Sequence, residues 1–151
     1  MPVANLKEFL NTNGVPHITI SHPKAYTAME VAQAAHVEGK EMAKTVVVNL
    51  DGRLAMAVLP ATQHVDLDRL RKGTGAHSVV LAQEWEFQAD FPECEVGAMP
   101  PFGNLYGMEV FVEPRLAADQ EIVFNAGSHT ELVRMAYKDF DRLVHPRLVA
   151  M

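Results

Sequence analysis

The chain is predicted to fold as an α+β protein: a mixed, largely antiparallel sheet or partial barrel of about six to seven strands with surrounding helices. Three observations predict it. The apolar period switches repeatedly between two and 3.6 residues, so strands alternate with helices. Two hairpin signals break that alternation and introduce antiparallel pairs. The length, 151 residues with 48% hydrophobic and 21% charged, suffices to bury a core.

The elements follow in order. Val3, Leu6, Phe9 and Leu10 share one helical face, and Asn13-Gly14 offers a stop. "HITISH" (17–22) alternates as a strand does. Thr27-Ala28-Met29-Glu30 is a capping-box pattern that opens a short helix through Val31, Ala34 and Ala35. "KTVVVNL" (44–50) is a β-branched strand, Asp51-Gly52 a hairpin turn, and "RLAMAVLP" (53–60) the returning strand. Asp66 caps a helix carrying Leu67 and Leu70, and Gly73 ends it. "HSVVLA" (77–82) is a strand, and "QEWEFQADF" (83–91) a short helix closed by Pro92. "MEVFVE" (108–113) is a strand. "EIVFN" (121–125) and "TELVRM" (130–135) are two more, joined through Ala126-Gly127-Ser128. Tyr137, Phe140, Leu143 and Val144 mark the last helix, which His145-Pro146 ends.

Residues 1–151 are expected to form one domain. No apolar run reaches the 18 residues of a membrane span, and Met1-Pro2-Val3-Ala4-Asn5 lacks the basic start and apolar stretch of a signal peptide. No membrane partner is therefore expected. Cys94 is the single cysteine and cannot form an internal disulfide, which favours the reducing cytoplasm. The net charge of −6 argues against a protein that grips a long nucleic acid through its phosphates, yet leaves open contact with a short end. The basic groups Arg69, Arg71, Lys72 and Arg134, Lys138, Arg142, Arg147 are interrupted by acids and read best as solvated faces.

Familiar chemical motifs are absent: no phosphate-binding loop, no HExxH, no GxSxG, no paired CxxC. The seven histidines are scattered and none lies four residues from another, so no metal and no cofactor are called for. Cys94 is flanked by Glu93 and Glu95, which would raise its pKa and keep it inert. Lys44 opens a β-branched strand; it reads either as a solvated edge charge or as a substrate-orienting cation at the mouth of a sheet. "GAMPPFGNLYG" (97–107) is stiff, glycine-hinged and almost uncharged, unlike an ordinary solvated loop. It is either a turn with Phe102 plugging the core or a shaped part of a site.

Three segments, in order, resemble one family. They are "AKTVVV" (43–48), "GAMPPFG" (97–103) about fifty residues later, and "FNAGSHTELVRM" (124–135) with its closing helix. Together they resemble the YbaK family, also called the prolyl-tRNA-synthetase-associated editing domain, over almost the whole chain. The resemblance implies a free-standing, trans-editing deacylase that hydrolyses the ester linking a wrong amino acid to the 3′ end of a tRNA. It implies that Lys44 holds the substrate near the terminal adenosine. Gly97 and Pro101 would supply the loop whose backbone orients the scissile carbonyl and the attacking water. Thr45, Phe102, Gly103 and His129 would bind substrate. Thr45 is a YbaK-like residue where alanyl-tRNA(Pro)-editing relatives tend to carry Asn, so the resemblance leaves the amino acid removed open. The implied partner is the aminoacyl-tRNA acceptor end, presented by a synthetase or an elongation factor.

Such a site needs little acid–base machinery, because the ester is already activated. It needs a placed water, donors for the developing oxyanion, and a pocket that excludes larger amino acids. Met29, Met56 and Met99 are candidates for a soft pocket wall, or for core filling. Two rival readings remain: a non-catalytic nucleotide- or tRNA-end-binding protein of the same fold, and an unrelated hydrolase using Cys94 or clustered histidines.

Overall fold

The chain is organised by one sheet, seen in a computed structural model that describes residues 2–95 and 97–151, with side chains from Leu6 onward. In chain order the elements are α1 (Pro2–Thr12), β1 (His17–Ser21), α2 (Ala28–Ala34), β2 (Met42–Leu50), β3 (Arg53–Pro60), α3 (Leu67–Thr74), β4 (Val79–Leu81), α4 (Glu84–Phe87), β5 (Glu109–Val112), α5 (Pro114–Ala117), β6 (Glu121–Ser128), β7 (Glu131–Ala136), α6 (Tyr137–Val144) and β8 (Arg147–Leu148). The strands lie in the order β1-β7-β6-β2-β3-β5-β8, and β4 adds to β2 off that path. Antiparallel pairs β1–β7, β6–β7, β2–β3 and β2–β4 carry most of the ladder; β2–β6, β3–β5 and β5–β8 are parallel. This is the mixed, largely antiparallel sheet of an α+β fold, curled as a partial barrel. All seven strands read from the sequence are present. The eighth, β8, has two residues and no periodicity that could announce it.

Local signals explain most elements. Asp51 and Gly52 both take positive φ, 50° and 91°, as a two-residue hairpin turn that matches strand twist requires. Thr27 and Glu30 form the reciprocal capping box at the start of α2. Asp66 caps α3 through the N–H groups of Asp68 and Arg69. The helix runs past Gly73, however, and ends at Gly75, which takes the left-handed conformation at φ 76°.

The β6–β7 turn also differs from expectation. Residues 126–128 belong to β6, and the chain reverses at His129-Thr130. Asn125 pairs with Leu132 and Ser128 with Glu131, so Ala126 and Gly127 bulge out of the ladder. Gly127, at φ 101°, lets the strand make that excursion. The bulge fastens the glycine-proline loop described below.

Strand β2 is covered on both faces. Ala43 and Val47 point into the largest cluster, with Leu6, Leu10, Phe102, Phe124 and Phe140. Val48 and Leu50 point the other way, toward Leu70 and Phe111. Met42 packs with Val31, Val123 and Leu132 beneath α2. Strand alternation therefore places Thr45 on the face of Val47, and Lys44 on the face of Met42 and Val48.

Candidate functional site

The two strands that share one edge of β2 leave it bare in the middle. Strand β6 pairs with Met42 and Ala43, and β4 pairs with Val48, Asn49 and Leu50. Residues 44–46 have no strand beside them, although β3 covers their other edge throughout. A cleft of about 240 Å³ opens at this gap. Thr45 and Val47 form its floor, Leu81 and Phe87 one wall, and Gly97 and Met99 the other, with Glu84 at the rim.

The loop on that second wall is held at both ends. The N–H of Glu95 donates to the Gly127 carbonyl at 2.8 Å, and the N–H of Gly127 donates to the Ala98 carbonyl at 2.9 Å. Glu95 Oε2 also accepts from the N–H of His129 at 3.0 Å. The bulge in β6 thus supplies two backbone bonds and the hairpin turn a third. At the other end, Phe102 is fully buried, its ring 5.4 Å from Phe124, 5.4 Å from Phe140 and 6.1 Å from Phe9. Between these anchors Gly97 takes φ 84°, a conformation that favours glycine. A Cβ there would meet only His129 Cε1, at 3.7 Å, so the constraint is backbone conformation rather than space. The N–H of Ala98 is taken by the Glu95 carbonyl, while among the described residues those of Gly97 and Met99 have no protein acceptor.

The predicted site residues divide into three groups. Thr45 and Gly97 line the cleft. Lys44 and His129 do not line it. Lys44 is half-buried in β2 opposite Leu59, inside the strand rather than at its start, and on the face opposite Thr45. Burial lowers its pKa. Among the described residues it has no ion pair. His129 is buried behind Gly97, with its ring 5.0 Å from Tyr26 and Nε2 3.9 Å from Glu95 Oε2.

Pro101, Phe102 and Gly103 recede from the cleft and are buried. Phe102 and Gly103, expected to bind substrate, are core residues instead. A Cβ on Gly103 would lie 2.5 Å from the Met108 carbonyl oxygen and 2.6 Å from Val110 Cγ2, so packing demands the glycine. Of the three methionines, Met99 alone lines the cleft; Met56 is fully buried and Met29 is exposed. Leu81, Phe87 and Glu95 were not singled out from the sequence. Each is distant in the chain from Lys44 and Thr45, and only the fold brings them near.

Other candidates look structural. Cys94 is half-buried with Sγ 3.7 Å from the Tyr106 hydroxyl. Its pKa is raised first by burial, with a further contribution from Glu93, so the thiol stays protonated. Arg71 and Lys72 both pair with Asp68, and Arg134 with Glu41 and Glu121. Two larger hollows, of 520 and 590 Å³, lie along β1, β6, β7 and α6 and hold none of the predicted site residues. Among the described residues no three His, Cys, Asp or Glu side chains converge as metal ligands would.

A curled α+β sheet carrying a pinned glycine-proline loop beside a lysine strand defines an editing-domain class of protein. The chain belongs to the aminoacyl-tRNA editing domain family, whose profile matches residues 22–143. It is 27% identical over 145 residues to the multifunctional Ser/Thr-tRNA deacylase ProXp-y of Escherichia coli K12, covering 93% of this chain and 86% of that one. The same identity and coverage hold for its counterpart in Escherichia coli O157:H7. The fold is shared with the crystal structure of a candidate trans-editing enzyme for prolyl tRNA synthetase. That match has a TM-score of 0.83 at 18% identity, covering 99% of this chain and 97% of the other.

Proposed function

We propose that the protein is a trans-editing deacylase that hydrolyses the ester of a mischarged aminoacyl-tRNA at the gap in β2. The observation that carries the proposal is the pinned loop. It lines a small cleft with Gly97 and Met99, whose backbone N–H groups have no acceptor among the described residues. Such donors suit the oxyanion that forms when water adds to the ester carbonyl, because they need no reorganisation during reaction. Water attacks the carbonyl carbon, the tetrahedral intermediate collapses, and the ribose oxygen leaves with a proton. Without a nearby triad, activation of that water falls to the substrate's own hydroxyl or amino group.

The cleft volume favours a small amino-acid side chain, with Met99 and Phe87 blocking larger ones and Glu84 available to the α-ammonium. Lys44, across the strand, pairs with phosphate or ribose oxygens of the terminal adenosine as a compact charge. His129 backs the loop and fixes Gly97. The protein then touches only the acceptor end, consistent with a net charge of −6, and a synthetase or elongation factor presents the tRNA. Deacylation of a panel of mischarged tRNAs tests this reading. Turnover of at least one small-side-chain ester is expected; binding without any turnover would make the protein a non-catalytic binder.

Two further outcomes are expected. Gly97→Val forces a β-branched residue to φ 84°, at a cost of roughly 1–3 kcal/mol of local strain. The protein should stay folded by circular dichroism but lose deacylation as the loop shifts. A folded variant with full turnover would remove the loop from the site. Activity should also survive both EDTA and alkylation of Cys94; loss in EDTA reversed by zinc, or loss on alkylation, would point to the rival hydrolase chemistries.

A further inference from the structure

The amide of Asn125 poses an unsolved hydrogen-bonding problem. Its Oδ1 is buried and has no partner among the described residues. A buried carbonyl left so costs free energy and calls for a donor. The donor can be located from the sheet. Strands β2 and β6 run parallel with Met42 beside Val123 and Ala43 beside Phe124. The ladder ends there, and its register carried one residue further along both strands sets Lys44 level with Asn125. Met42 and Val123 pack into one cluster beneath α2, whereas Ala43 and Phe124 face the opposite cluster. Alternation therefore turns Lys44 and Asn125 to one face of the sheet. An unpaired cation and an unpaired acceptor occupy adjacent positions where the sheet opens.

We propose that Asn125 is a positioning residue for Lys44, its Oδ1 accepting from the Lys44 ammonium and aiming that cation at the acceptor end in the gap. The role of Lys44 in this proposal rests on the deacylase reading; the pairing itself does not. The half-buried ammonium gains an acceptor that offsets its lost hydration without neutralising its charge. Asn125 stands one residue before the bulge that anchors the loop, at the last paired position before Ala126 and Gly127 leave the ladder. One strand thereby sets both the cation and the oxyanion donors.

The test combines Asn125→Leu, Asn125→Ala, Asn125→Asp and Lys44→Met, singly and with Leu added to Met. Asn125→Leu removes the acceptor at similar volume, and the protein should stay folded by circular dichroism. Single-turnover deacylation should fall roughly tenfold or more, as for a lost bond to a charged group. Asn125→Asp, which keeps an acceptor, should recover most of the rate, and Asn125→Leu should add no loss in the Lys44→Met background. A second readout needs no tRNA: reductive methylation of Lys44, followed by mass spectrometry, should quicken in Asn125→Leu and Asn125→Ala but not in Asn125→Asp. Unchanged Lys44 reactivity in folded Leu and Ala variants overturns the pairing, as does unfolding of both variants, which would make the amide structural. An equal rate loss with and without Lys44 overturns the positioning role. Wild-type protein without turnover defeats the deacylase reading alone, because the reactivity result still decides the pairing.

Discussion

Phe102→Ala is expected to lower stability by about 3–5 kcal/mol, the range for truncating a fully buried phenylalanine. The ring meets three others, from α1, β6 and α6, so its removal opens a cavity that several elements would have to collapse to fill. For a chain of this length the melting temperature should drop on the order of 10 °C. Urea or thermal denaturation reads the loss directly. Phe102 also fastens the far end of the glycine-proline loop, so activity of the folded fraction should fall as the loop loosens. Stability reduced by less than about 1 kcal/mol, with a raised KM, would return Phe102 to the substrate-binding role that its place in the loop suggested.

Lys44→Ala is expected to do the opposite, sparing the fold and removing function. The lysine is half-buried, its charge is disfavoured by burial, and among the described residues no carboxylate pairs with it. The sign follows: its folded pKa lies below its unfolded value, so the ammonium costs stability at neutral pH, and the cost fades as pH rises through the folded pKa and is gone above the unfolded one. Truncation should therefore change stability by no more than about 0.5 kcal/mol in either direction. Deacylation should fall by about ten- to more than a hundredfold, the value of one charge-assisted contact of roughly 1.5–3 kcal/mol. Lys44→Arg keeps the charge but brings a planar head, and should restore less than about a tenth of the rate. A folded Lys44→Ala protein that hydrolyses mischarged tRNA at the wild-type single-turnover rate would remove Lys44 from the site.

The candidate site was legible in its members more than in its arrangement. Of the residues named from the sequence, Thr45 and Gly97 line the cleft, His129 lies behind Gly97, and Lys44 lies in the stretch of β2 that β6 and β4 leave unpaired. Phe102 and Gly103 were read as substrate-binding because they share a loop with Gly97. Loop membership says nothing about which way a residue faces, and these two face the core. Cys94 was expected to have a raised pKa because of its acidic neighbours; partial burial raises it first and Glu93 adds to that, while Glu95 instead holds His129 and Gly127.

By itself the sequence determined what short-range physics controls. Alternating or β-branched apolar runs between turn signals marked seven strands. Asp51-Gly52 set a hairpin because both residues tolerate positive φ, and Thr27 with Glu30 capped α2. Each of these depends on residues a few positions apart. Tertiary structure alone decided that β6 and β4 share one edge of β2 and leave the gap between them. It alone decided that Ala126 and Gly127 bulge to pin the loop. Those outcomes join residues from about thirty to about eighty positions apart. They are set by which apolar faces can be buried together, a property of the whole chain that no local pattern contains.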